Sequence, residues 1–270
     1  MKTVTYDVVI LSDLHLGSEM ARASEALDLL RSLRFHRLIL LGDIFCDLNF
    51  GRLNQEHWQF LSYIRTLSES APNVEVVWVE GNHDCGLTQV MSHLVGVPVY
   101  QEYMWESSGE WNLAIHGHQF DSFVVNNHVL MSRFANSLYL SIQKFSSNGE
   151  FVARIFDELN TQWQRLTPKV ANGALAYARA RGARRVFCGH THRTTTVANN
   201  GVVYYNAGAW INSRPSYITI LGKEVAINEY IGRIDNCHTG KKRGEIVASP
   251  PDVVDETGLP ADAEYDSVYS

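Results

Sequence analysis

Two kinds of hydrophobic pattern alternate along the first third of the chain. Short runs of Val, Ile and Leu without regular polar alternation are typical of strands buried in a parallel sheet. These runs predict strands at 4–11, 37–41 and 76–79. Between them, apolar residues recur three and four positions apart, which predicts helices at 23–33 and 54–68. The order β-α-β-α-β therefore predicts an α/β fold.

Strand patterns joined by tight turns follow in two later regions. They predict strands at 97–105, 111–115, 185–188, 194–198, 202–206, 217–221 and 224–230. Ser107-Ser108-Gly109, Asn199-Asn200-Gly201 and Gly222-Lys223 are typical of hairpin turns. Antiparallel strands beside a parallel set predict a two-layer or sandwich α/β design.

Residues 122–182 show no strand pattern and three helical ones. The first helical pattern is apolar on more than one side, and Thr167-Pro168 supplies an N-cap and a first-turn proline for the third, which runs to about Arg181. A short helix is also predicted at 88–94. The predicted domains are a core of 1–121 and 183–235, an inserted helical cap of 122–182, and an acidic C-terminal tail or arm of 236–270.

Composition and charge narrow the class of protein. The 270 residues are 45% hydrophobic and 19% charged, as in an ordinary soluble globular protein. The absence of an 18-residue apolar run and of a signal segment, together with four scattered cysteines, predicts a cytoplasmic protein. The net charge of −6 conceals nine Lys/Arg against three Asp/Glu in residues 122–185. Nucleic acid is not an expected partner, because the core is acidic and has no basic-aromatic stripe.

Polar side chains follow five of the predicted strands at the point where each strand ends. They are Asp13 and His15, then Asp43, then Asn82, then His116, and finally His190 and His192. Open α/β sheets place their ligands at the carboxyl ends of strands, so we expect these side chains to converge. Asp43 is not a core residue on this interpretation, since an unpaired buried carboxylate is too costly.

Imidazole, carboxylate and amide oxygen together suit Mn, Fe or Zn better than Ca. We therefore predict two divalent metal ions, with Mn²⁺ preferred and Fe or Zn as alternatives, that share Asp43 as a bridging ligand. The predicted ligands are Asp13, His15, Asp43, Asn82, His116, His190 and His192. Water held between such ions loses a proton near neutral pH, and the bridging hydroxide would then attack phosphorus.

His83 and Asp84 follow a predicted ligand and are assigned catalytic roles. His83 would protonate the leaving oxygen or stabilise charge on phosphorus, and Asp84 would orient it; a structural hydrogen-bonded pair is the alternative. Arg193, His118 and Asp121 are assigned to substrate binding. A structural salt bridge is the alternative for Arg193, and support of a metal ligand or a capping role is the alternative for the other two.

The motifs D-x-H, G-D, G-N-H-D, a later His and G-H-x-H occur here in that order. Over about residues 6–230 the chain resembles the calcineurin-like metallophosphoesterases. The resemblance implies a four-layer α-β-β-α sandwich. It also implies one metal on Asp13, His15, Asp43 and His192, and a second on Asp43, Asn82, His116 and His190.

Residues 116–121, the insert, and residues 205–210 further resemble the UDP-2,3-diacylglucosamine pyrophosphatase branch. That resemblance implies cleavage of a UDP-2,3-diacylglucosamine-type lipid nucleotide sugar to UMP and a lipid sugar phosphate in lipid A synthesis. In that branch the insert houses acyl chains, so the basic, apolar insert predicts a peripheral contact with the inner membrane face. A self-packed cap without lipid contact is the alternative. The chain departs from the branch at His83, where Arg is common, and at His118, where the pattern is HGD.

Two other functions stay open. One keeps the chemistry and changes the substrate to a cyclic nucleotide, a dinucleotide or a phosphoprotein, cleaved by a soluble phosphodiesterase or phosphatase. The other is a non-catalytic, protein-binding scaffold, which degraded metal ligands would indicate; every ligand position of the motif is filled here. The expected partner is accordingly a phosphoester small molecule or a lipid-linked nucleotide.

Overall fold

Two β-sheets form the centre of the fold in a computed structural model, which describes residues 4–69, 74–85, 92–93, 96–121 and 167–232. The strands are β1 (Thr5–Leu11), β2 (Arg34–Leu41), β3 (Glu75–Val79), β4 (Val99–Tyr100), β5 (Glu102–Ser107), β6 (Glu110–Ile115), β7 (Arg185–Cys188), β8 (Thr195–Asn199), β9 (Val202–Asn206), β10 (Ser216–Leu221) and β11 (Glu224–Glu229). The longer α-helices of the described residues are α1 (Ala23–Ser32), α2 (Gln55–Glu69) and α3 (residues 167–180), and short 3₁₀ helices lie at Phe50–Arg52 and His118–Phe120.

Each sheet combines a parallel centre with antiparallel strands. The first has the order β11-β10-β1-β2-β3-β4, in which β1 to β4 are parallel and β10 and β11 antiparallel. The second has the order β5-β6-β7-β9-β8, with β6, β7 and β9 parallel between antiparallel edge strands. The parallel strands of each sheet therefore present several carboxyl ends at one edge, where loops can carry a site.

Alternation along β1 shows how the layers pack. Val8 and Ile10 belong to an apolar cluster between the sheets, together with Phe187 of the second sheet. Val9 and Leu11 point the other way, into a cluster with α1 and α2. Helix α3 covers the outer face of the second sheet. The layer order α-β-β-α is the one predicted, and the predicted fold class is confirmed.

The predicted strand 97–105 is two strands. Val99–Tyr100 pairs with β3 in the first sheet, and Glu102–Ser107 pairs with β6 in the second. The chain changes sheets at Gln101. Val97 and Val99 pack in the cluster with α1 and α2, whereas Tyr103 and Trp105 pack between the sheets. The apolar pattern does not distinguish these two environments, so it continues across the change. Strand β2 also begins three residues before its predicted start, at Arg34, which pairs with Thr5 of β1.

Helix α3 was predicted as the third helix of the insert. Its residues Ala171, Ala174 and Leu175 pack against Leu113 and Val186 of the second sheet, so it forms an outer layer of the core. Thr167 is itself helical, so the helix begins at or before its predicted cap. The domain boundaries stay predictions.

Several predicted segments lie outside the described residues. They are 122–166 of the cap, most of the helix at 88–94, and the tail at 236–270. Of the helices that are described, none combines the length and apolar character that a membrane crossing needs.

We expect Phe187→Ala to lower the free energy of unfolding by about 3–5 kcal/mol, because it leaves a cavity between the sheets. Phe187 is fully buried and stacks on Trp105 and Tyr205, with ring centroids 5.6 and 5.3 Å apart. Urea denaturation measures the change. Trp111→Ala on β6 is the control: Trp111 is 48% exposed, and its loss should cost about 0.5 kcal/mol. Equal losses would contradict this packing.

Candidate metal centre

The carboxyl ends of the two sheets bring the predicted ligands to one edge of the sandwich. Asp13 follows β1 and Asp43 follows β2 in the first sheet, while His116 follows β6 and His190 follows β7 in the second. The backbone N–H of Asp13 donates to the Gly42 carbonyl at 3.1 Å, which joins the first two loops. The backbone N–H of His190 donates to Asp13 Oδ2 at 3.0 Å, which joins the two sheets. The site is thus built between the sheets.

Among the described residues, potential ligand atoms form three groups, in each of which the atoms lie within 4.8 Å of one another. The groups are Asp13, His15 and His192; His15, Asp43 and His83; and Asp43, His116 and His190. Asp43 is common to the second and third groups, and His15 is common to the first and second. This arrangement is the one that two cations sharing Asp43 would require.

The shortest approaches within the groups join nitrogen atoms to carboxylates and to each other. His192 Nε2 lies 3.1 Å from Asp13 Oδ1 and 3.2 Å from His15 Nε2. His116 Nε2 lies 3.2 Å from Asp43 Oδ2. Two facing imidazole nitrogens beside a carboxylate are a donor set that suits a divalent transition metal.

The carboxamide of Asn82 supplies a separate test of whether a metal fits. Asn82 lies between Gly81 and His83, and the His83 backbone N–H donates to Asp43 Oδ1 at 2.8 Å. The Oδ1 atom of Asn82 is buried and has no hydrogen-bond partner among the described residues. An unpaired buried acceptor is unfavourable, and a cation would satisfy it. The residues present therefore fit a metal, although each ligand role stays a prediction.

The backbone at the site is unusually strained. Five predicted ligands adopt left-handed φ angles of 49° to 67°, and they are Asp13, His15, Asp43, His190 and His192. Only two other non-glycine residues of the described chain do so, Ser108 and Asn200, and both lie in hairpin turns. A left-handed residue costs about 1–2 kcal/mol, and such strain clusters at functional sites. The strained positions are thus concentrated at predicted ligands that follow the strand ends.

Two motif glycines allow the loops to approach the carboxylates. A Cβ at Gly81 would collide with the backbone nitrogen and Oδ1 of Asp43. A Cβ at Gly189 would collide with Ser12 Oγ and Asp13 Oδ2. Glycine is required at both positions because each loop lies directly against a buried ligand.

Burial and neighbouring charges set the protonation of the centre. Burial would raise the pKa of Asp43, but His116 and His83 lower it well below its ordinary value. Burial, with nearby His83 and His192, lowers the pKa of His15 to about 3. Asp43 is therefore an anion and His15 a neutral imidazole near pH 7, which are the forms that bind metals.

His116 behaves differently because it faces a carboxylate. Burial lowers its pKa, but the larger combined effect of Asp43 and Asp13 raises it to about 10. Its Nδ1 lies 3.1 Å from the Leu41 carbonyl oxygen, so Nε2 faces Asp43. A cation held by His116 would take the place of a proton on Nε2.

The structure corrects the expected partner of His83. Asp84 was predicted to orient His83, but its Oδ1 accepts from the Gly81 N–H at 2.6 Å and its Oδ2 from the Ile44 N–H at 2.9 Å. His83 Nδ1 instead lies 2.7 Å from the Cys46 carbonyl oxygen. Asp84 thus ties two loops together, and burial and the charge of Asp43 raise its pKa to about 6.

The predicted substrate residues lie in different surroundings. Asp121 is buried, and its Oδ2 lies 3.3 Å from His190 Nε2, a position that supports a metal ligand. The ring of His118 lies 5.5 Å from that of His116 and 6.4 Å from that of His190. Arg193 is exposed beyond His192. Their roles in substrate binding stay predictions.

Sequence reasoning missed two asparagines that support the G-H-T-H loop. Asn206 Nδ2 donates to the Gly189 carbonyl at 2.6 Å and lies 3.1 Å from Thr191 Oγ1. Asn212 Nδ2 donates to the His192 carbonyl at 2.8 Å. The motif at 205–210 marked the place of Asn206, whereas no sequence signal distinguishes Asn212.

One family model matches most of the chain. The calcineurin-like phosphoesterase superfamily domain matches residues 7–222. Similar solved structures include Vps29 of Entamoeba histolytica complexed with Zn²⁺, at 20% identity over 85% of this chain and 93% of that chain, with a TM-score of 0.44. A phosphoesterase, YfcE of E. coli, is similar at 17% identity over 84% of this chain and 93% of that chain, also with a TM-score of 0.44. An archaeal phosphodiesterase is similar at 14% identity over 82% of this chain and 98% of that chain, with a TM-score of 0.45. No curated protein matches the chain.

We expect Asp43→Asn to abolish hydrolysis of phosphoesters and to weaken metal binding, because the shared charge between the donor groups is lost. Metal content after dialysis, measured by elemental analysis, checks the second effect. Asp28→Asn is the control, since Asp28 is exposed on α1. A variant at Asp43 that kept both its metal and its activity would exclude the shared position.

Gly189→Ala should lower the affinity for Mn²⁺ by about 10- to 100-fold, as loss of support around a ligand typically does. The added methyl group displaces Asp13 and Ser12. Isothermal titration measures the affinity. Gly232→Ala is the control, because a Cβ there meets only Tyr230 at an ordinary 3.8 Å. Unchanged affinity in Gly189→Ala would show that Asp13 is not a ligand.

Proposed function

We propose, because this chain belongs to the calcineurin-like phosphoesterase superfamily, that it is a metal-dependent hydrolase of phosphodiester or pyrophosphate bonds. The observation that carries the proposal is the convergence of carboxylates and imidazoles from both sheets, with Asp43 common to two donor groups. The buried, unpaired Asn82 Oδ1 supports the same centre. Since every position of the motif keeps a donor, a non-catalytic scaffold is the weaker interpretation.

Two sets of residues would hold the metals. One is Asp13, His15, Asp43 and His192, and the other is Asp43, Asn82, His116 and His190. When bound, two divalent cations neutralise phosphoryl oxygens and make water a nucleophile near neutral pH. We propose Mn²⁺, with Fe or Zn as alternatives, because imidazole, carboxylate and amide oxygen donors are combined.

We assign to His83 the role of the acid that gives a proton to the leaving oxygen. A carbonyl oxygen only accepts, so the Cys46 carbonyl fixes a hydrogen on His83 Nδ1, 2.7 Å away. Any proton exchanged with the substrate is therefore on Nε2. This nitrogen lies 4.0 Å from Asp43 Oδ2, and the His83 side chain is 28% exposed. As the bond from phosphorus to the leaving oxygen breaks, that oxygen takes the proton from Nε2.

A lipid-linked nucleotide sugar of the UDP-2,3-diacylglucosamine type is the substrate that we propose. The support comes from the sequence: residues 122–185 hold nine Lys/Arg against three Asp/Glu, and the first helical pattern among them is apolar on more than one side. Such a segment suits an anionic, acylated molecule and a peripheral contact with an anionic membrane surface. The acidic remainder of the chain is unsuited to nucleic acid.

We expect His83→Ala to retain its metals and to slow turnover by about 10²- to 10⁴-fold, the usual loss on removal of a general acid. Turnover of bis(p-nitrophenyl) phosphate and elemental analysis measure the two effects. His36→Ala is the control, since His36 is exposed on β2. His83 also lies in a donor group with His15 and Asp43, so loss of metal from His83→Ala would make it a ligand instead.

The substrate is tested by the release of UMP from UDP-2,3-diacylglucosamine in the presence of Mn²⁺, with bis(p-nitrophenyl) phosphate as the reference. Release of UMP at a higher kcat/KM than the reference is expected. Hydrolysis of the reference alone would contradict the lipid substrate and favour a soluble cyclic nucleotide, dinucleotide or phosphoprotein. Failure on both compounds, with metals bound, would contradict the hydrolase itself.

A further inference from the structure

Ser12 lies at the junction of the two halves of the candidate metal centre. It directly precedes Asp13, and it is completely buried. Its hydroxyl oxygen is within hydrogen-bonding distance of two acceptors, Asp13 Oδ2 and the Leu41 carbonyl oxygen, the latter at 2.6 Å. Leu41 ends β2 two residues before Asp43. Ser12 therefore contacts the Asp13 side chain after β1 and the backbone at the end of β2.

The contact with Asp13 determines which carboxylate oxygen faces the imidazoles. Asp13 Oδ2 accepts from the Ser12 hydroxyl and from the His190 backbone N–H at 3.0 Å. The other oxygen, Oδ1, is left 3.1 Å from His192 Nε2 and 3.8 Å from His15 Nε2. Two donors on one oxygen hold the carboxylate against rotation, and Oδ1 stays directed at the donor group.

The contact with Leu41 reaches the other half. The Leu41 carbonyl oxygen also lies 3.1 Å from His116 Nδ1, and because it only accepts, His116 carries its hydrogen there. This contact orients the ring so that Nε2 lies 3.2 Å from Asp43 Oδ2. Ser12 has a single hydroxyl hydrogen for two acceptors. It serves both by alternating between them or by a three-centre hydrogen bond, so the Ser12 hydroxyl and His116 Nδ1 share the Leu41 carbonyl oxygen.

We propose that Ser12 is a positioning residue for both halves of the metal centre. It orients Asp13 directly, and through the Leu41 carbonyl it affects the orientation of His116. The inference rests on the proposed function, since it assumes that these groups hold metals. It adds a residue that contacts neither a metal nor a substrate and that connects the two donor groups.

The test is a titration of the full chain with Mn²⁺ alone. Ser12→Ala should bind both ions about 10- to 100-fold more weakly, the usual effect of losing a group that orients a ligand. Ser12→Cys keeps the shape and donates weakly, so its affinity should lie between those of Ser12→Ala and the wild type, and it decides the test if Ser12→Ala does not fold. Ser32→Ala, which removes a hydroxyl bound to the Leu29 carbonyl at 2.7 Å in α1, should bind as the wild type does.

The visible absorption of the Co²⁺-loaded protein provides a second readout, because reorientation of Asp13 or His116 changes the ligand field. Wild-type affinity in both Ser12 variants, or a loss confined to one ion, would overturn the role of Ser12. A wild type that binds two Mn²⁺ ions and hydrolyses no phosphoester would overturn the proposed function and leave the role of Ser12 intact. A wild type that binds neither Mn²⁺ nor Zn²⁺ would overturn both.

Discussion

The burial of two carboxylates between the sheets is the constraint on which the site depends. Asp13 and Asp43 are almost completely inaccessible to water, and an ionised carboxylate in that position costs several kcal/mol unless it is compensated. The compensation comes from backbone N–H groups of His190 and His83 and from the imidazoles of His192 and His116. Each carboxylate therefore needs loops from both sheets or from two neighbouring strands, and the sandwich supplies them.

The same constraint explains the strained loops. A side chain that leaves the end of a strand normally continues the alternation of that strand. Left-handed backbone at Asp13, Asp43 and His190 departs from the extended conformation on which that alternation depends. The motif glycines complete the arrangement, because Gly81 and Gly189 leave room for a carboxylate where any side chain would collide. Local strain is thus offset by the packing of two rigid sheets.

Protonation, tautomer and orientation are set by groups around the donors. The Leu41 and Cys46 carbonyls define which nitrogen of His116 and His83 faces the centre. Asp84 uses both of its oxygens to join the loop after β3 to the loop after β2. The donor side chains thus face one another, and the groups around them fix their direction. A hydrolase needs this order, because small displacements of a donor or acid reduce the rate strongly.

The sequence by itself determined the α/β class and the location of the site, and the family resemblance of its motifs implied the four layers. Short apolar runs bounded by turns identified nearly every strand, and polar residues at five strand ends identified the edge where Asp13, Asp43 and His190 meet. Hydrophobic periodicity reports burial and not the pairing partner, so only the tertiary structure decided that the chain changes sheets at Gln101. Backbone carbonyls have no signal in a sequence, so the partner of His83 was also decided only in three dimensions, by the Cys46 carbonyl rather than by Asp84.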